Sequence, residues 1–250
     1  MSGPADLEAV CRRAVDAALA AGADDAEAYA EERTEREIRV YDGAVESLTD
    51  ASSRGIGVRA FVDGRSGYVY GTELGDGGLR ELAAAAREVA AVADADPHDG
   101  LPEAAGASHV DSLRSRELGE WSTERKVELA LAAERAARAH PDVSQVETVV
   151  YADSDGSQAL ANSRGFAGSF EASAAWSYAS AFAGEGSDLM TGMGLGMGRG
   201  PEDLDAEAIG SEAAERAASL AGARQGPTRR CPVVLDTLVA ASFLGFIGEM

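Results

Sequence analysis

The residues best suited to metal or acid–base chemistry are few and widely separated in this sequence. The histidines are His98, His109 and His140, and none has a second histidine or a cysteine three or four residues away. A zinc-binding helix of the HExxH type needs two imidazoles on one face together with a glutamate base. We therefore expect no metal ligand in this chain, and a structural or solvated role for each histidine.

Patterns for nucleophilic catalysis and phosphate binding are missing as well. The sequence has no GxSxG elbow, and the glycine-rich run 184–200 is not followed by Lys-Ser or Lys-Thr. Cys11 and Cys231 lie far apart without a CxxC spacing, which indicates isolated thiols in a reducing cytosol. We expect no catalytic residue and no cofactor in this chain.

The charge balance excludes one class of partner. There are 22 Lys and Arg against 43 Asp and Glu, a net charge of −21. Such a surface repels phosphate backbones, so we expect no nucleic-acid binding. The N-terminus lacks a basic start followed by an apolar stretch, and no run of about 18 apolar residues occurs. We therefore expect no membrane association and a cytoplasmic location.

A run of alternating glycines gives the first candidate site. Glycine occupies positions 192, 194, 196, 198 and 200, in alternation with Met193, Leu195, Met197 and Arg199. Because side chains alternate between the faces of a strand, this pattern predicts a strand with one bare face. That face suits either close packing of another element or a groove in which an extended peptide adds as a strand. The predicted substrate-facing or subunit-facing residues are Gly192, Gly194, Gly196 and Gly198.

Arg59 is the second candidate, a charged residue inside an otherwise apolar hairpin. Such a residue often pairs with a buried carboxylate, and this structural role competes with a role at an interface.

The first part of the chain has the pattern of an α+β unit. Apolar residues at helical spacing from Leu7 to Leu19 precede Gly22, a C-terminal cap. Asp42-Gly43 and Asp63-Gly64 predict two tight hairpins and a sheet of about four antiparallel strands. A helix with an apolar stripe follows, for which Asp76 is the expected N-cap.

A second α+β region follows, again with antiparallel hairpins flanked by helices. It is expected to contain a helix over 122–139, hairpin turns at Asp155-Gly156 and 163–165, a long strand over 166–182 and a helix over 204–221. A short strand is predicted over 232–236, and an apolar helix begins at Thr237. The predicted division is an N-terminal domain 1–93, a Pro-, Gly- and Asp-rich linker 94–110, a middle region 111–226 and the start of a truncated C-terminal domain 227–250.

Several segments together resemble the TldD/PmbA family, also called the modulator of DNA gyrase family. The first part of the resemblance covers Glu27-Ala28-Tyr29, residues 41–46, 55–60 and 67–70, and the helix LRELAAAAREVA. The second part covers the turn Asn162-Ser163-Arg164-Gly165, the segment 203–217, Pro227-Thr228 and Cys231 to Asp236. Each element is weak alone, but their order and spacing are fairly specific and extend over nearly the whole chain.

The resemblance implies a subunit without its own active site. In the TldD kind of subunit, the helix after the Pro-Thr segment carries an HExxxH zinc motif. Here that helix reads LVAASFLGF from Leu238 to Phe246, and HExxxH occurs nowhere in the sequence. This pattern is similar to the PmbA/TldE kind, which pairs with a TldD-like subunit in a zinc metalloprotease that processes or degrades unfolded peptides.

The resemblance also implies zinc in the TldD-like partner, a peptide substrate and a homo- or heterodimer. Family members continue into a β-rich C-terminal domain, so we interpret the chain as a fragment or a shortened protein. The alternative functions are a non-proteolytic peptide-binding or scaffold protein, as a degenerate paralogue, and an enzyme with an unrecognised site.

Overall fold

The computed structural model describes residues 3–103, 106, 108 and 110–249. These residues form an α+β fold. The helices are α1 (Pro4–Ala20), α2 (Asp76–Val92), α3 (Thr123–Arg138), α4 (Ala206–Ser219) and α5 (Thr237–Gly248). The strands are β1 (Asp25–Tyr41), β2 (Ala44–Val62), β3 (Arg65–Gly71), β4 (Val143–Asn162), β5 (Ala167–Ala183) and β6 (Met190–Gly198). The strands form one antiparallel sheet in the order β3-β2-β1-β4-β5-β6.

The first two hairpins turn where the sequence predicts, but they join three strands and not four. Asp42 and Gly43 have φ of 52° and 76°, and Asp63 and Gly64 have φ of 51° and 71°. Two successive positive φ values give the tight turn that matches strand twist. β2 pairs with β1 along almost its whole length, so both hairpins share it as one continuous strand.

The predicted hairpin at Asp155-Gly156 is wrong, because β4 runs straight through these residues. A Cβ at Gly156 would lie 2.7 Å from the carbonyl oxygen of Glu32 on β1. The glycine thus allows close approach of a neighbouring strand and makes no turn. The chain reverses at the next predicted turn, where Gly165 has a φ of 91°.

The helices cover one face of the sheet in two pairs. α1 and α2 pack on β1, β2 and the end of β4, over a core in which Ala26, Ala28 and Ala30 face the helices. α3 and α4 pack on the other half, around Ile38, Val40 and Tyr151. The many alanines let the helices approach the sheet closely, which agrees with the low aromatic content.

A buried polar cluster separates the two cores. The Lys126 ammonium lies 2.7 Å from the Asp153 carboxylate, and the Tyr151 hydroxyl donates to the same carboxylate at 2.6 Å. Beside them, Arg36 binds Asp50 and the Thr123 hydroxyl. Burial, more than the bond to Asp153, raises the pKa of Tyr151, so this hydroxyl stays protonated.

Three details of the predicted helices and strands need correction. The N-cap of α2 is Gly75, and Asp76 is the first helical residue. α4 begins at Ala206 after a 3-10 turn, because the Asp205 side chain caps its N-terminus. Residues 232–236 pair with no strand of the described chain and are exposed. The predicted apolar helix is present as α5.

No helix of the described part of the chain combines the length and the apolar character needed to span a membrane.

Candidate functional site

The glycines of β6 lie where α4 packs on the sheet. A Cβ at Gly192 would overlap the carbonyl oxygen of Ala213, and a Cβ at Gly194 would overlap that of Ile209. A Cβ at Gly196 would lie 2.6 Å from the Ile209 side chain, and one at Gly198 would overlap Asp203. The close approach that the glycines predict is therefore made by α4 of the same chain. For a substrate or a second subunit, β6 therefore offers its opposite face.

The opposite face of β6 is apolar and open. Met193 and Met197 are 40% and 72% exposed. They flank Leu195, and their neighbours on β5 are Trp176 and Tyr178, whose rings stack with centroids 6.0 Å apart. We call these five residues the Met–Trp face. Methionine adapts its shape easily and tryptophan contributes a large contact area, so the surface suits binding of another chain.

The outer edge of β6 is partly occupied by side chains of α4. β6 ends the strand order of the sheet, and no other described strand pairs with that edge. The Leu195 N–H of this strand donates to the Glu212 carboxylate at 3.4 Å, and the Met193 carbonyl accepts from the Arg216 guanidinium at 2.8 Å.

Arg59 pairs with a carboxylate, as its position in the hairpin predicts. Its guanidinium lies 2.9 Å from Glu27 on β1 and 3.8 Å from Asp99, and it stacks over the Phe61 ring at 5.0 Å. Arg59 thus fixes the segment after α2 onto the sheet. The sequence gives no signal for Asp99 as a partner, because the two residues are 40 positions apart.

The turn Asn162-Ser163-Arg164-Gly165 is tied to the start of β1. Arg164 binds the Asp25 carboxylate at 2.8 Å, and the Ser163 hydroxyl donates to the same side chain at 2.7 Å. These two bonds, first that from Arg164 and then that from Ser163, lower the pKa of Asp25. The Asn162 side chain accepts from two backbone N–H groups of the turn. No local sequence pattern indicates Asp25 as the partner of this turn, because Asp25 and Arg164 are far apart in the sequence.

The described residues contain no group of three or more His, Cys, Asp and Glu side chains that could hold a metal. His140 accepts a bond from the Asp142 N–H, and His109 lies outside the described residues. Burial raises the pKa of the Cys11 thiol to about 12, so it is a poor nucleophile, whereas Cys231 is exposed.

The sequence matches two adjacent domains of one family. Residues 26–90 match "PmbA/TldA metallopeptidase domain 1", and residues 116–221 match "PmbA/TldA metallopeptidase central domain". The fold and these matches place the chain in the PmbA/TldD family. No curated protein gives a significant match.

Solved structures share the fold. A candidate modulator of DNA gyrase from Thermotoga maritima superposes with a TM-score of 0.74 at 23% identity, over 88% of this chain and 50% of that one. A second candidate modulator of DNA gyrase, from Bacteroides thetaiotaomicron, gives 0.79 at 21% identity, over 88% and 51%. TldE from Thermococcus kodakarensis gives 0.71 at 20% identity, over 85% and 47%. The chain thus spans about half the length of these proteins.

Proposed function

We propose that this chain acts as a PmbA/TldE-like, non-catalytic subunit of a TldD/TldE-type zinc metalloprotease that processes or degrades unfolded peptides in the cytoplasm. One observation carries the proposal. The family matches extend over both domains, yet the 250 residues contain no HExxxH motif, and α5 contains no histidine. The structural likeness to TldE agrees with this assignment at the level of the fold.

The described residues do not fit a zinc ion, because no group of candidate ligands comes together. Under the proposal, zinc and the hydrolytic step belong to the TldD-like partner. This chain contributes binding surface, namely the Met–Trp face.

The proposal is tested by cleavage of an unstructured reporter peptide. The chain is assayed alone and together with a homologue that carries HExxxH, each with and without a zinc chelator. We expect cleavage by the mixture to exceed that of the homologue alone and to disappear on chelation. Equal rates for the mixture and the homologue alone would overturn the proposal.

A non-proteolytic peptide-binding or scaffold protein is the second candidate. The apolar Met–Trp face can bind another chain without any hydrolysis. This candidate predicts stable binding of a partner or peptide with no change in cleavage rate. The same assay, combined with a binding measurement, separates the two functions.

A further inference from the structure

α5 is almost entirely apolar, yet none of its residues is buried by the described chain. Its sequence over Thr237–Gly248 includes no charged side chain. One face carries four large apolar side chains at the spacing i, i+4, i+7 and i+8, namely Val239, Phe243, Phe246 and Ile247. They are between 45% and 75% exposed. A continuous apolar face of this kind is typical of a contact surface, because its side chains otherwise remain in water.

The start of α5 is attached to the border of the Met–Trp face. The Asp236 side chain caps the N-terminus of α5, and its carboxylate lies 3.8 Å from the Arg216 guanidinium on α4. The same guanidinium donates to the Met193 carbonyl on β6 at 2.8 Å. One arginine thus joins the first turn of α5 to the strand that carries the exposed methionines. The apolar surface next to this anchor is the Met–Trp face.

The Met–Trp face matches α5 in size and in chemistry. Its strand is about 13 Å long from Met193 to Met197, and α5 is about 18 Å long. Two neighbouring strands with their side chains present a strip about as wide as the ~10 Å diameter of a helix. The five side chains of the face carry no charge, so a helix that covers them buries no unpaired ion.

The connection between α4 and α5 allows the helix to move onto this face. Residues 220–236 contain no helix or strand, and all of them are exposed. The Arg216–Asp236 pair is exposed as well, with 36% and 57% of the two side chains accessible. An exposed ion pair contributes little stability. It therefore keeps the start of α5 near β6 without holding the rest of the helix away from the sheet.

We propose that α5 folds onto the Met–Trp face of its own chain and covers it until a partner displaces the helix. Docking buries the apolar face of α5 and the exposed methionines in a single contact. The displacement by a partner rests on the proposed function, in which the Met–Trp face meets the TldD-like subunit. The docking itself involves this chain alone.

Quenching of Trp176 fluorescence by acrylamide tests the docking in the chain alone. Trp121→Phe is the background, because it leaves Trp176 as the remaining tryptophan. Phe243→Glu puts a charge on the apolar face of α5, and Ala241→Glu, on the opposite side of the helix, is the matched control. We expect Phe243→Glu to raise the quenching constant at least about twofold, because water reaches the ring once α5 detaches. Ala241→Glu should leave it unchanged.

Two results would overturn the docking. One is equal quenching of the background protein and Phe243→Glu, with both folded by circular dichroism. The other is protection of Trp176 only at concentrations at which sedimentation shows a dimer, because the helix would then belong to a second copy. We expect monomers, and quenching that does not change with protein concentration.

A binding measurement with the HExxxH-bearing homologue keeps this inference apart from the proposed function. Phe243→Glu should bind the homologue about tenfold more tightly than the parent, since a face that is covered about nine-tenths of the time loses apparent affinity by that factor. Equal affinities would overturn the displacement of α5 by the partner. Absence of binding by both proteins would overturn the proposed function, while the docking of α5 stands or falls with the quenching of Trp176.

Discussion

At the scale of single residues, the chain is held together by charged pairs that join distant parts of the sequence. Asp25 and Arg164 connect the start of β1 to the turn after β4, and Lys126 and Asp153 connect α3 to the sheet. The first pair is partly exposed and the second is buried. Their expected contributions to stability differ for that reason.

Replacement of Asp25 by asparagine should make the free energy of unfolding depend less on pH in the acid range. The lowered pKa of Asp25 means that its carboxylate stabilises the fold above its unfolded pKa, near 3.8, and that this stabilisation is lost as the pH falls through the folded pKa. We expect Asp25→Asn to lower the free energy of unfolding by about 1 kcal/mol at pH 7.

Urea unfolding at several pH values measures this effect. The difference between parent and variant should shrink below about pH 3.8. Asp16→Asn, at an exposed position of α1, is the control and should change little. A difference that stays constant down to pH 2 would contradict the assigned role of Asp25.

Lys126→Met should be far more damaging. It leaves the Asp153 carboxylate buried with the Tyr151 hydroxyl but without its cation. Loss of one partner of a buried ion pair lowers the free energy of unfolding by about 3 kcal/mol or more. Neutralising the remaining partner recovers part of this loss. Urea unfolding should therefore rank Lys126→Met as less stable than the double variant with Asp153→Asn. The reverse order of stability would show that the Lys126–Asp153 ion pair does not stabilise the packing of α3 on the sheet.

At the scale of elements, β6 shows how one strand can serve packing and binding at once. Its glycines allow α4 to lie against the backbone, while Met193, Leu195 and Met197 face the other way. A substitution at a glycine is thus a test of packing. Gly194→Val would displace α4, so a loss of activity in this variant would not show that β6 contacts a substrate.

Gly194→Ala should destabilise the protein more than Gly196→Ala. The added methyl group meets the Ile209 carbonyl in the first case and the movable end of the Ile209 side chain in the second. Overpacking of this kind costs about 1–3 kcal/mol, and least where the neighbour can move. Thermal unfolding of both variants checks the order. Equal melting temperatures would mean that α4 can shift away from β6 without cost.

Elements were predictable from the sequence where the signal is local. The positive φ values at Asp42-Gly43 and Asp63-Gly64 belong to the dipeptide itself, and the helices follow from apolar spacing. Asp155-Gly156 carries the same signal but lies in β4, because its glycine is required by the backbone of β1. The pairs Asp25–Arg164 and Arg59–Asp99 depend on which strands become neighbours, which no local pattern contains.

At the scale of the whole molecule, one face of the sheet is covered by helices and the other carries the exposed apolar residues. Four helices pack on one face over the two cores. The other face holds the Met–Trp face.

A charge placed on the Met–Trp face should prevent association with the HExxxH-bearing homologue. Met197→Glu puts a carboxylate among Trp176, Tyr178 and Leu195, where burial by a partner would leave it unpaired. Val92→Glu is the matched control, since Val92 is 86% exposed, against 72% for Met197, and lies at the end of α2 on the opposite side of the sheet. We expect sedimentation to show the complex for the control and separate chains for Met197→Glu, with both variants folded. Substitutions at the glycines of β6 would act through the packing of α4. Met197→Glu and its control instead test the exposed face of the sheet alone. Complex formation by Met197→Glu would place the subunit contact elsewhere on the molecule.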